Sequence, residues 1–260
     1  MRETRHAEVR PAPHQCHRVA RTVRRGSAGS TVAGFCALAV LCGTMLPVSA
    51  QAEDQAPYPS MAPVEQYRVA SRSEEIALAR SAAPASISGD AEILVLGEHG
   101  YETAVKGKNG FVCLVERGWF AYFDDPVFWD PKIRGPDCLN PAAVRTVLPV
   151  NLERTRWVLA GLSKAEMIAR SKASVAAKRA PAPGAMGYMM SKQGYLSHDA
   201  GHWHPHLMFF QRHADLAAWG ANLTDSPVLG VAGGPDEPTI LFVPLAKWSD
   251  GTSAPPMEMQ

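Results

Sequence analysis

Apolar residues recur along this chain with two different periods, and the switches between them mark its elements. Ser71-Arg72-Ser73-Glu74 has capping-box spacing, and EEIALARSAA behind it is helix-forming until Pro84 stops it. AEILVLG, from Ala91 to Gly97, is an unbroken apolar run between Gly89-Asp90 and Gly97, which predicts a buried strand. Tyr101 to Arg117 predicts a β-hairpin. Two strand-like runs flank Lys106-Gly107-Lys108-Asn109-Gly110, and Asn-Gly supplies the positive φ of a tight turn. Gly118 to Pro141 reads as an aromatic loop broken by Asp-Pro, Asp-Pro and Gly-Pro. Asn140 caps a helix that opens with Pro141, and Leu148, Leu152, Arg156 and Leu159 continue it at helical spacing. Pro149 should kink or split it. Ser163-Lys164-Ala165-Glu166 is a second capping box, opening a helix that ends before Pro181. Past Gly184, AMGYMM, HLMFFQ and TILFVPLA each predict a strand, with ADLAAWGANL a short helix between the last two.

A helix and hairpin, then two helices, then strands predict an α+β fold. The expected architecture is an antiparallel or mixed sheet, a β-hairpin near its N-terminal side, two to three packed helices and one disulfide. Residues 64–250 would form this single domain. Residues 51–63, rich in Pro and small side chains, read as a flexible linker, and residues 251–260 as a disordered tail.

The first fifty residues do not belong to that pattern. Seven Arg and no Lys precede or border an apolar run, Thr31 to Ala50, that closes on Val48-Ser49-Ala50. A basic segment, an apolar core and small residues at the end predict a signal peptide over residues 1–50, cut after Ala50. The protein is therefore expected to be exported, periplasmic or secreted, and an uncleaved leader would be its only hold on a membrane. The whole chain has a net charge of +1, but residues 51–260 hold 19 basic and 23 acidic side chains, or about −4. Without a basic block to neutralise phosphates, nucleic acid is excluded as a partner. Two cysteines follow the leader, Cys113 and Cys138. In an oxidising compartment the simplest expectation is that they pair.

The densest chemical signal is HDAGHWHPHLMFF, with His198, His202, His204 and His206 within nine residues. If that stretch is extended, His202, His204 and His206 share one face and form a candidate site for Zn or Cu. His198 or Asp199 would be a further ligand or an outer-sphere partner. The competing reading is a polar loop leading into a strand, because Pro205 marks a strand's start or edge. A zinc hydrolase built on these ligands would need a proton carrier, and Asp199 is the nearest candidate. No Glu lies between Glu166 and Glu237, H-E-x-x-H is absent, and no G-x-S-x-G elbow occurs. Asp124, Asp125, Asp130 and Asp137 surround aromatic residues, but Asp before Pro is first a turn and cap residue. Met186, Met189, Met190 and Met208 would suit Cu(I), although Met beside Tyr188 and Phe209 is more often core.

GYETAVKGKNGFVCLVER with DCLNP, and YMMSKQGYL with GHWHPHLMFF, WGANL and VPLAKWSDG, resemble an uncharacterised family of bacterial exported proteins. A looser form of the pattern runs from Tyr101 to about Phe210: N-G-[FW]-x-C, a second Cys, and P-H-[LV]-M before a strand. In that form only His206 has a counterpart among the histidines. The resemblance implies export and a Cys113–Cys138 pair, and brings no activity with it.

The functional expectation is thus an exported binding or accessory protein, engaging a transition metal through His202, His204 and His206. The alternatives are a metal-dependent hydrolase with Asp199 or an aspartate of the 124–137 loop as proton carrier, and a structural module for a protein partner in the cell envelope. Sequence leaves open whether the protein is an enzyme.

Overall fold

The computed structural model describes residues 58–174, 176–177, 179–196, 204–234 and 237–256. The chain divides into Met1–Ala50 and Gln51–Gln260, and every described residue belongs to the second unit. The expected leader, 1–50, lies outside the described residues, as do the linker residues 51–57.

The first helix, α1 (Arg72–Arg80), begins where its cap predicts: the Ser71 hydroxyl accepts from the Glu74 amide. A single turn, α2 (Ala85–Ser88), follows Pro84. Next come the apolar β1 (Glu92–Leu96) and then β2 (Tyr101–Val105), which folds back on it antiparallel through residues 97–100. Here the fold corrects the expected hairpin. The strand after the Asn-Gly turn, β3 (Val112–Glu116), does not pair with β2; it lies on the far side of β1, parallel to it. The connection must therefore cross the start of β1. Gly107 makes this crossing feasible, since a Cβ there would stand 2.2 Å from the Glu92 nitrogen. Gly110 does have the positive φ expected of it, +78°. It serves a crossover rather than a hairpin.

A second correction concerns Gly118–Pro141. Its first part is irregular, with two short 3-10 turns, and packs Trp119, Phe128 and Trp129 against Tyr67, Val158 and Met167. Its end is a fully buried strand, β4 (Gly135–Leu139), running antiparallel to β3. Pro136 is tolerated because the strand on the other side pairs only with Cys138 and Leu139, so the proline lies beyond that ladder. Cys113 and Cys138 stand directly opposite each other and form the disulfide, Sγ–Sγ 1.97 Å.

Pro149 splits the long helix in two, α3 (Pro141–Thr146) and α4 (Leu148–Leu159), and sits in the first turn of the second, where its missing N–H costs nothing. The complete capping box of Ser163 and Glu166 opens α5 (Lys164–Ala173). The three strands expected after Gly184 are β5 (Met186–Met189), β6 (His206–Gln211) and β8 (Thr239–Pro244). The helix expected between the last two shrinks to a 3-10 turn, Ala217–Trp219, ended by Gly220 at φ +64°. An unanticipated three-residue strand, β7 (Leu229–Val231), pairs with β8.

The described strands form one mixed eight-stranded sheet, in the order β2-β1-β3-β4-β5-β6-β8-β7. One face packs Ile93, Cys113, Val115 and Cys138 against Ala79, Ala82 and Ala83 at the end of α1 and just beyond it. The other packs Leu114, Leu139, Met189, Met208 and Phe210 against Ala143, Val147 and Leu148 of the α3–α4 region. The fold is α+β, with a hairpin near its N-terminal side and one disulfide. No helix among the described residues is long and apolar enough to cross a membrane.

Candidate functional site

The α3–α4 face of the sheet carries a polar feature that packing alone does not require. Leu114 of β3 is directly opposite Asp137 of β4, so Glu116, two residues on, projects from the same face as Asp137. Asp137 is completely buried. A glycine makes room for the pair. A Cβ at Gly187 of β5 would lie 2.3 Å from Asp137 Oδ1. Neither Asp137 oxygen meets an aligned donor. Two ionised carboxylates cannot hydrogen-bond each other; a proton on either one converts the contact into a bond. Burial drives the Glu116 carboxyl well above the ordinary carboxylate range, and the neighbouring Asp137 charge adds to it. Burial also raises Asp137, to about 7, offset only in part by its contact with Glu116 and the nearby Cys138 amide. The pair holds a proton near neutrality.

Glu116 opens onto a cavity of about 260 Å³ between the sheet and the α3–α4 helices. Val147, Val150, Met208, Phe210 and Ile240 give it apolar walls. On one side Arg154 of α4 is tied down from several directions. It donates to the Ala121 carbonyl at 2.7 Å, stands 3.4 Å from Glu237, and lies over the Phe123 ring at 4.2 Å. Burial lowers the Arg154 pKa and raises that of Glu237, while each charge favours the other. The Tyr122 hydroxyl donates to the Pro238 carbonyl at 2.7 Å, and burial raises its pKa. At the mouth, Arg179, Arg212 and His213 are exposed.

The histidine expectation meets the structure only in part, because His198, Asp199 and His202 lie outside the described residues. Of the remaining two, His204 precedes the strand and His206 opens it, directly after Pro205, so an extended strand does not run back through His204. His206 is buried, edge-on to Phe242 with ring centroids 5.6 Å apart. Its Nδ1 donates to the His204 carbonyl at 2.8 Å. Burial lowers its pKa and favours the neutral ring. Among the described residues, no three His, Cys, Asp or Glu side chains converge as metal ligands. Met189 and Met208 are core residues on the cavity face.

The acidic set of the aromatic loop divides. Asp125 accepts from the Val127 amide at 2.9 Å and Asp130 from the Lys132 amide at 2.8 Å, as turn residues do. Asp137 alone is a buried strand residue. Gly-Pro-Asp spells a turn locally, and that signal concealed it. The neighbouring cysteine could have revealed it. Pairing Cys113 with Cys138 on adjacent antiparallel strands forces Leu114 opposite Asp137.

No protein-family model matches the chain, and neither a curated protein nor a solved structure does.

Proposed function

We propose that this protein is an exported small-molecule-binding protein, and that its site is the cavity between the sheet and α3–α4. The observation that carries this reading is the Glu116–Asp137 pair. It is an acid pair, short of donors and fitted against Gly187, with Glu116 lining a cavity that has an apolar wall. Burying such groups is costly, and a perturbed pair facing a cavity marks a functional place more often than a structural one. Apolar walls with few convergent polar groups are the usual make-up of a ligand pocket. The Cys113–Cys138 disulfide fits an oxidising, extracytoplasmic compartment. A metal role for the histidines has no comparable support, since His206 is buried against Phe242 and hydrogen-bonded to backbone.

The test is titration of the full-length protein with a neutral apolar fluorophore, N-phenyl-1-naphthylamine. Wild type should bind saturably at one site, and Val150→Trp, which fills the cavity, should abolish the signal while melting cooperatively. Binding that is indifferent to Val150→Trp, or no saturable binding by wild type, would rule out the cavity.

A further inference from the structure

The cavity's charged groups differ in exposure, and the difference points to the chemistry of its ligand. Glu116 lines the cavity with the buried Asp137 beside it, and the two carboxyls share a proton. The buried Arg154 and half-buried Glu237 neutralise each other at 3.4 Å. At the mouth Arg179 and Arg212 are exposed, and His213 stands beside them. Arg179 is steadied by donating to the Arg145 carbonyl at 3.1 Å. Neither arginine forms an ion pair with any described residue. The two exposed arginines give the mouth a formal charge of +2. Residues 51–260 carry about −4 in all, so a positive mouth on an acidic domain is a local inversion of charge. Such a mouth raises the local concentration of anions.

Building on the cavity reading above, we propose that the ligand is a small amphipathic organic anion, a carboxylate with an aromatic or branched aliphatic body. Its carboxylate lies at the mouth between Arg179 and Arg212, whose planar guanidinium forks match carboxylate geometry. Its body lies against Met208 and Phe210. A hydroxyl group at its far end donates to the Glu116 oxygen that the contact with Asp137 leaves free. A cationic ligand is disfavoured twice, by the arginines it must pass and by the proton it must displace from the carboxyl pair.

The experiment displaces N-phenyl-1-naphthylamine from the full-length protein with three compounds of one shape: 3-phenylpropanoate, 3-phenylpropanamide and 3-phenylpropylamine. The acid should displace the probe at a concentration at least about tenfold below the amide, with the amine weakest. Arg179→Ala/Arg212→Ala should bring the acid-to-amide ratio towards one, and Arg179→Lys/Arg212→Lys should keep part of the preference. Raising the salt should shrink the ratio, because contacts at an exposed mouth are screened. If the amide or amine equals the acid, or if the preference survives in the alanine variant, the anion proposal is overturned. In that event Val150-sensitive probe binding leaves the cavity standing as a site. Probe binding that is indifferent to Val150→Trp, or no saturable binding by wild type, overturns both.

Discussion

Asp137 lies at the centre of the sheet with only Glu116 and the Cys138 amide near its carboxyl, and an ionised carboxylate in such a place costs several kcal/mol. Its folded-state pKa of about 7 stands above the ordinary Asp value of about 3.9. Protonation therefore favours the folded chain. The stabilisation is complete below pH about 4 and is lost as the pH rises through about 7. His206 works the other way: burial favours its neutral ring, so its contribution is present above its ordinary value and lost as the pH falls through the lowered one. The two are separated by comparing wild type with Asp137→Asn, whose amide donates to Glu116 at every pH and leaves His206 untouched. In urea unfolding, the stability of wild type relative to Asp137→Asn should fall by up to about 1.4 kcal/mol per pH unit between pH about 4 and 7, then flatten. Parallel curves would mean that the Asp137 pKa is not raised in the folded protein.

The same pair constrains how strands β4 and β5 meet, and this makes Gly187 sensitive against ordinary strand preference. Glycine inside a strand is usually a weakness that alanine improves. Here a Cβ would come within 2.3 Å of Asp137 Oδ1, so Gly187→Ala should cost about 1–3 kcal/mol. In an Asp137→Ala background the space is vacant, and the cost should drop below about 1 kcal/mol, a coupling readable by a double-mutant cycle in urea. Additive costs would mean that Gly187 is needed for its backbone alone. Elements of this kind were unevenly legible in the chain. The caps at Ser71, Asn140 and Ser163 and the break at Pro149 act within one or two turns, so local spacing locates them. Strand β4 was hidden because Gly135 and Pro136 are turn residues, and burial between neighbouring strands overrides that propensity. Periodicity revealed β1, β2 and β3 but not their partners. The Asn109-Gly110 turn suits a hairpin and a crossover equally, and only Gly107 against Glu92 decides between them.

At the scale of the whole molecule, the site was out of reach of local spacing, because Glu116, Val150, Arg179, Phe210 and Glu237 come from segments that only the tertiary fold assembles. A separate join holds the N-terminal elements to the sheet. The β1–β2 hairpin meets the rest of the sheet through two parallel register pairs, Glu92 with Val112 and Ile93 with Cys113. Buried Arg117, directly after β3, strengthens the join. It donates to Glu75 of α1 at 2.7 Å, to the Tyr67 carbonyl at 2.6 Å, and to the Val115 carbonyl. Glu75 also accepts from the Leu96 amide at 3.1 Å, so one ion pair ties α1, β1 and β3 together. Removing one member leaves a buried charge unopposed, and Glu75→Ala should therefore cost about 3–5 kcal/mol. Removing both charges is a different experiment. Glu75→Leu/Arg117→Met keeps the volume and leaves no stranded charge, and should recover most of that loss. If the double variant stays as unstable as Glu75→Ala, the backbone bonds to Tyr67, Val115 and Leu96 hold the join and the charges do not. If it recovers, the ion pair orients the hairpin and α1 while the apolar contacts of Ile93, Val115 and Ala79 supply the stability. Urea unfolding of the three proteins with the disulfide intact decides between them.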